Sequence, residues 1–523
     1  MYNYVQIMSS AGLNRFRTYL STAGLDEKSY QVEGVDWCLK KELGEVPATE
    51  GVKGGIIADE MGLGKTIVMS GLIVSNFVKH TLIVLPLSLV DQWAGVFTDT
   101  MNHTPLVYHG TNKQDITSED LSKAPIVLTT YGHIAMTNLL HAQKWNRIIF
   151  DEAHHLRNVG TAIHRGAATL MGDAKWLVSG TPIQNRFSDF QALCIIMGLS
   201  PKYAMSLDNV PEIVQNYMLR RRKDEVGLEL PMLNRYTEEV AWENESEKKL
   251  AEDIHSHLQF SNVAEHKVDS QTVGLDNTVL AILTRARQLC IYPPMLDSHT
   301  EKLVNMGLFE NAAICHAALS HSSKMNAVEK KVKERKDNQC GKLIFCHYRA
   351  EIDEVARRLS ALGMNVETFD GRTSHTKRAK ILGGVCDALI LQIKTGCEGL
   401  NLQQFSEIYF VSPHWNPAIE DQAVARCHRI GQSKPIDVFR FQMQGFDEEA
   451  ITISLDIHSN NVQHAKRETS RSLDTVVDET KTTAKTKPKK KIKIQFTDMD
   501  ELKNVAKHKK TQEGYLKDGF VED

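Results

Sequence analysis

Gly54-Gly55-Ile56-Ile57-Ala58-Asp59-Glu60-Met61-Gly62-Leu63-Gly64-Lys65-Thr66-Ile67-Val68-Met69 passes from a short apolar run, through a glycine turn, into a second apolar run. The first run predicts a strand and the second a helix that starts at Lys65. Glycines at Gly62 and Gly64 let backbone N–H groups converge, and the N-terminus of the helix adds partial positive charge. Together they form a cradle for phosphate oxygens, with Lys65 in reach of the β and γ phosphates and the Thr66 hydroxyl able to hold magnesium. The strict spacing G-x-x-x-x-G-K-[ST] wants glycine where Asp59 stands, so strand-turn-helix geometry carries the reading, not the first glycine.

The flanks fit a parallel sheet covered on both faces. Continuous apolar runs at Thr81 to Leu85, Ile126 to Thr129, Arg147 to Phe150 and Trp176 to Ser179 alternate with stretches of helix length. Ligands of such sheets bind at the carboxyl ends of the strands, and the polar clusters fall there. One strand runs into Asp151, Glu152 and His154, the next into Ser179, Gly180 and Thr181. Asp151 is placed to share a magnesium ion with Thr66, Glu152 to orient or deprotonate a water, and His154 to sense the γ-phosphate region. Upstream, Gln31 offers an amide that both donates and accepts, with Tyr30 and Trp37 as flat apolar neighbours, a clamp suited to an adenine edge.

With 523 residues, 42% hydrophobic and 24% charged, the chain can bury more than one core, and two to four domains are expected. A formal net charge of -3 does not decide for or against a polyanionic partner. Nine scattered cysteines without a C-x-x-C pair suit a reducing compartment. No zinc site is expected of them. Residues 1 to 22 lack the apolar core of a signal peptide, and no run approaches a membrane span, so cytosol or nucleus is expected.

Residues 226 to 321 read as a helical insertion. Before it, Arg220, Arg221, Arg222 and Lys223 form a basic run. From residue 322 a second parallel sheet is expected, with strands at Lys342 to Cys346, Met364 to Phe369, Ala388 to Ile393, Glu407 to Val411 and Asp437 to Phe441. It has no phosphate loop. Its polar ends carry Lys394 to Leu402, which includes Gly399, and Gln422 to Gln432, where Arg426 and Arg429 stand three apart and share one face if helical. Such a pair can reach a phosphate as arginine fingers. Residues 462 to 523 have few large apolar groups and read as disordered, with Lys487 to Lys493 as a nuclear-localisation signal or phosphate-binding arm.

Tyr30-Gln31, DEMGLGKT from Asp59, DEAH from Asp151, SGTP-x-QN from Ser179, Trp415-Asn416-Pro417 and His428-Arg429-Ile430-Gly431-Gln432 follow one another in this order. This order resembles the Swi/Snf-type helicase-like ATPases of helicase superfamily two, and DEAH, GCEGLNL and HWNPAIEDQAVAR lean toward the branch acting in DNA repair and transcription termination, here without a RING insertion. The resemblance implies an α/β protein of two RecA-like lobes. They would comprise residues 25–225, after a leader at 1–24, and residues 322–447, with 226–321 between them and a brace and tail at 448–523. It implies ATP bound by Gln31, Gly62, Gly64, Lys65, Thr66 and His154, with magnesium on Thr66 and Asp151. Catalysis would rest on Lys65, Glu152, Arg426 and Arg429, and coupling on Ser179, Thr181 and Gly399. Nucleic acid would meet Arg220, Arg221, Arg222, Lys223 and Trp415. The implied partner is duplex DNA, with nucleosomes or DNA-bound proteins as the objects remodelled, in the nucleus or in the DNA compartment of a virus. No membrane is expected. A strand-separating DNA or RNA helicase and a non-translocating ATP-binding scaffold remain as other readings.

Overall fold

The computed structural model describes residues 2–45, 49–110, 112–258, 277–305, 307, 312–393, 400–446 and 453–485. The chain forms two compact units, one of Met1–Glu229 with Glu468–Gln495, the other of Leu230–Arg467 with Phe496–Asp523. No helix among the described residues is long and apolar enough to cross a membrane.

Unit one is built on seven parallel strands: β1 (Gly54–Ile57), β2 (Thr81–Leu85), β3 (Leu106–Tyr108), β4 (Ile126–Thr130), β5 (Trp145–Asp151), β6 (Gly172–Val178) and β7 (Met218–Leu219). Their order is β3-β4-β2-β5-β6-β1-β7. Alternation along β2 shows why the runs are apolar throughout. Leu82 and Val84 enter the core on one face, Ile83 and Leu85 the core on the other. Register aligns the site: Asp151 lies opposite Val178, and Val178 opposite Ile57. The segments that leave β1, β5 and β6 therefore start at one level on adjacent strands.

The leader is a helix instead of an uncommitted segment. Helix α1 (Tyr2–Thr22) buries Phe16, Tyr19 and Leu20 in the core beneath α2 (Ser29–Leu43) and α3 (Lys65–Ser75). Each buried side chain of this size contributes about 1.5–3 kcal/mol, enough to order a helix in which apolar and polar residues are mixed. Helix α4 (Val90–Met101) adds Trp93 and Phe97 to the same core.

Unit two holds a six-stranded parallel sheet of β8 (Leu233–Val240), β9 (Gly341–Cys346), β10 (Val366–Phe369), β11 (Ala388–Gln392), β12 (Phe405–Phe410) and β13 (Ile436–Met443), in the order β10-β11-β9-β12-β13-β8. Strand β8 corrects the expected helical insertion: residues within 226–321 supply an edge strand paired with β13 along its whole length, and helices of that stretch share the core of this sheet. Its pattern LNRYTEEV leaves Arg235, Tyr236, Thr237 and Glu239 exposed, as a solvated edge does. Helix α5 (Pro417–Ala425) begins with Asn416 as N-cap, its side chain accepting from Ala418 N–H, and Pro417 in the first turn. Trp415-Asn416-Pro417 is thus a helix start. Helix α6 (Leu455–Lys485) corrects the expected disorder over residues 462–485; Leu473, Val476 and Val477 are buried in the core of unit one. Gly399 and Lys487 to Lys493 lie outside the described residues.

Candidate active site

The glycine turn enters α3 through backbone conformations only glycine adopts freely. Gly62 has φ 95° and Gly64 φ 79°. A Cβ on Gly64 would lie 2.6 Å from Gln31 Nε2. That amide, 1% exposed, donates to Leu63 O at 3.1 Å, so the side chain expected at an adenine edge is fixed against the loop. Lys65 Nζ donates to Asp59 O at 3.0 Å. Thr66 is the second residue of α3 and half-buried. Gly180 approaches from the end of β6, where a Cβ would meet Lys65 Nζ at 3.1 Å.

Asp59, the residue that breaks the strict spacing, is fully buried. Its Oδ1 accepts from Arg221 N–H at 3.1 Å and from Arg221 Nε at 3.0 Å, and its Oδ2 pairs with Arg221 Nη2. A carboxylate inside a phosphate loop repels the ligand unless neutralised, and this fork neutralises it. The structure therefore puts Arg221 in the framework of the loop, not on a nucleic-acid surface. Its neighbours are also engaged: Arg220 with Asp474 and with Ala58 O, Arg222 with Asp478 and Glu225, and Lys223 with Glu60. A four-residue basic run gave little signal of this, because apart from Glu225 the partnering acids, Asp59, Glu60, Asp474 and Asp478, lie far off in sequence.

Asp151 ends β5 and is 6% exposed. Trp93 Nε1–H donates to its Oδ2 at 2.8 Å and Glu152 N–H to its Oδ1 at 3.0 Å. Burial, and then the Glu152 charge beside it, push the carboxyl above its ordinary value. Each oxygen keeps a lone pair, and a hard cation would relieve this cost. Glu152 itself has φ 50°, a left-handed conformation that non-glycine residues rarely hold and that clusters at functional sites. Its carboxylate lies 3.3 Å from His154 Nδ1, which is 3.5 Å from Ser179 Oγ. Ser179 Oγ accepts from Thr181 N–H at 3.3 Å, and Thr181 Oγ1 from Gln184 Nε2 at 3.4 Å. A polar chain thus runs from the acid to the loop after β6.

In unit two, α5 ends at Ala425, and Arg426 and Arg429 follow in turns, held by Arg426 N–H on Ala423 O and Arg429 N–H on Cys427 O. Turn geometry, not the expected helical spacing, sets their separation. Burial and then the Arg426 charge lower Arg429 from its ordinary value, and its Nε is buried with no hydrogen-bond partner among the described residues. Trp415 packs edge-on to His458 of α6 at 5.5 Å between centroids, and its carbonyl accepts from Lys466.

The profile of the SNF2-related domain matches residues 30–207, and that of the helicase conserved C-terminal domain matches residues 323–431. The chain is similar to a "Probable global transactivator" of Orgyia pseudotsugata multicapsid polyhedrosis virus, 28% identical over 79% of this chain and 85% of that one. It is also similar to DNA repair protein RAD5 of Saccharomyces cerevisiae, 24% identical over 82% of this chain and 54% of the relative. A solved Sulfolobus solfataricus SWI2/SNF2 ATPase core in complex with dsDNA is similar at 21% identity, covering 86% of this chain and 97% of that one, with a TM-score of 0.37. By its two matched domains the chain belongs to the Swi/Snf-type helicase-like ATPases of helicase superfamily two.

Proposed function

We propose that this ATPase is a duplex-DNA translocase that hydrolyses ATP to move along DNA and displace or remodel bound protein. The observation that carries the reading is the convergence in unit one of Lys65, Asp151, Glu152, His154 and Ser179 on the loops leaving β1, β5 and β6. Lys65 neutralises β and γ phosphate oxygens. Thr66 and Asp151 would hold magnesium, which supplies positive charge to the transferring phosphoryl group when bound. Glu152 orients the attacking water and accepts its proton, while His154 links that acid to Ser179 and Thr181, so that a change at the nucleotide reaches the loop after β6. Arg426 and Arg429 are the arginine fingers, Arg429 with a buried Nε that has no partner among the described residues. The names of relatives, an "ATP-dependent DNA helicase" of Arabidopsis thaliana and a "DNA repair protein" of yeast, support DNA as the track. A nuclear or viral DNA compartment, and nucleosomes or other DNA-bound proteins as objects, belong to the same reading. ATP hydrolysis measured with duplex DNA, single-stranded DNA and RNA tests it: duplex DNA gives the largest stimulation, and stimulation by RNA alone overturns it.

A further inference from the structure

The first turns of α6 send Leu455 into the core of unit two and bury Val462, but a neighbouring face carries no apolar residue. Asn460, Gln463, His464 and Arg467 stand at i, i+3, i+4 and i+7, the stripe by which a helix normally packs on a core. Opposite them are Arg235 of β8 and Arg440 of β13, side chains that the parallel register puts on one face of the sheet. These six residues line a cavity of about 220 Å³, far more than a single water needs.

Three guanidiniums here share two carboxylates. Arg440 pairs with fully buried Glu420, while Arg235 at 3.4 Å and Arg467 at 2.9 Å both pair with Asp421. One positive charge is left over before His464 is counted. Glu420 is also satisfied by Gln463 Nε2 at 2.7 Å and His414 N–H at 2.8 Å, so it has little left to give. Arg440 Nε is buried without a partner among the described residues. Like charges are gathered on a polar hollow where apolar packing is the usual solution, and this arrangement costs stability unless an anion enters.

We infer that the cavity between the Asn460–Arg467 turns of α6 and strands β8 and β13 is a binding site for a phosphoryl oxyanion, distinct from the nucleotide loop. Arg235 and Arg440 from the sheet and Arg467 from α6 line one hollow, and a tetrahedral, multiply charged group accepts from several guanidiniums at once, whereas a planar carboxylate engages one fork. A small polyphosphate and a phosphate of a nucleic-acid backbone present the same chemistry. The inference does not depend on the translocase reading.

The test is calorimetric titration of pyrophosphate into the full chain with saturating ADP present, for wild type, Arg235→Gln and Arg467→Gln. Both substituted side chains are partly exposed, at 44% and 31%, so folding is retained, as circular dichroism checks. In parallel, duplex-DNA affinity is measured against salt. Weakening of pyrophosphate by about tenfold or more in both variants, the scale of one lost charge-assisted contact, with an unchanged DNA salt slope, assigns the site to a small polyphosphate. A slope reduced by about one unit assigns it to a backbone phosphate. If neither the pyrophosphate affinity nor the slope changes, the cavity is an internal ion-pair network and the inference is wrong.

Discussion

Asp59 and Arg221 show how one pair can settle a departure from a motif. The aspartate interrupts the glycine spacing, the arginine sits in a run that reads as surface, and each makes sense only as the partner of the other. With both side chains at or below 10% exposure, removing one leaves an unpaired buried charge, at a cost of about 3–5 kcal/mol. Arg221→Ala is accordingly expected to lower the denaturation midpoint of unit one and to weaken nucleotide binding with it. A stable Arg221→Ala protein that has lost only DNA affinity contradicts the framework role. Glu152→Gln keeps the shape of the side chain and removes the base. ATP stays bound while turnover falls by roughly 100-fold or more, as single-turnover hydrolysis beside equilibrium nucleotide binding will register; undiminished turnover rules out the water-orienting role.

Elements were legible where burial made their composition uniform. The strands expected in unit one all appear, within two residues of their expected bounds except that β6 starts four residues earlier, at Gly172, because β2, β4 and the ends of β5 and β6 are apolar on both faces. Strand β8 was not legible, since its exposed edge is charged and polar without an apolar run, nor were α1, whose apolar residues are mixed with polar ones, and the later turns of α6, whose few large apolar residues do the docking. The candidate site followed the same division: Lys65, Asp151, Glu152 and His154 could be read from their order, whereas Trp93, which holds Asp151, has no neighbouring signal. One element carries its own pH dependence. Glu351 caps the helix Arg349–Ala361, its Oε2 accepting from His347 N–H at 2.7 Å and Tyr348 N–H at 3.0 Å. Its Oε1 has no partner among the described residues, and burial pushes the carboxyl up to about 7. A raised acid favours the fold while protonated, so its contribution falls as pH climbs from the ordinary carboxylate range to about 7 and is flat beyond. Glu351→Gln removes this dependence. The variant should gain on wild type progressively over that window, by roughly 3 kcal/mol at its upper end, in urea denaturation followed from pH 4.5 to 8. A constant difference across the window shows that Glu351 does not titrate there.

At the scale of the whole molecule, the proposed translocase reading raises the question whether movement along DNA would separate its strands. Both sheets are spent on parallel α/β cores, and the described remainder of the chain after β13 is α6, which docks by Leu473, Val476 and Val477 and by ion pairs from Asp474 and Asp478 to Arg220 and Arg222. An element already fixed by buried apolar groups and paired charges makes a poor wedge for a fork. Such a chain is expected to track the backbone of an intact duplex, held by phosphate contacts that carry no sequence information and release counterions, so affinity falls steeply with salt and little with sequence. ATP-driven release of a triplex-forming third strand, with a forked duplex left paired under the same conditions, is the expected outcome. Glu152→Gln serves as the control, since it should bind the triplex and fail to clear it. Efficient opening of the fork by the wild-type chain makes it a strand-separating helicase instead, and failure on both substrates despite DNA-stimulated hydrolysis leaves an ATPase that does not translocate.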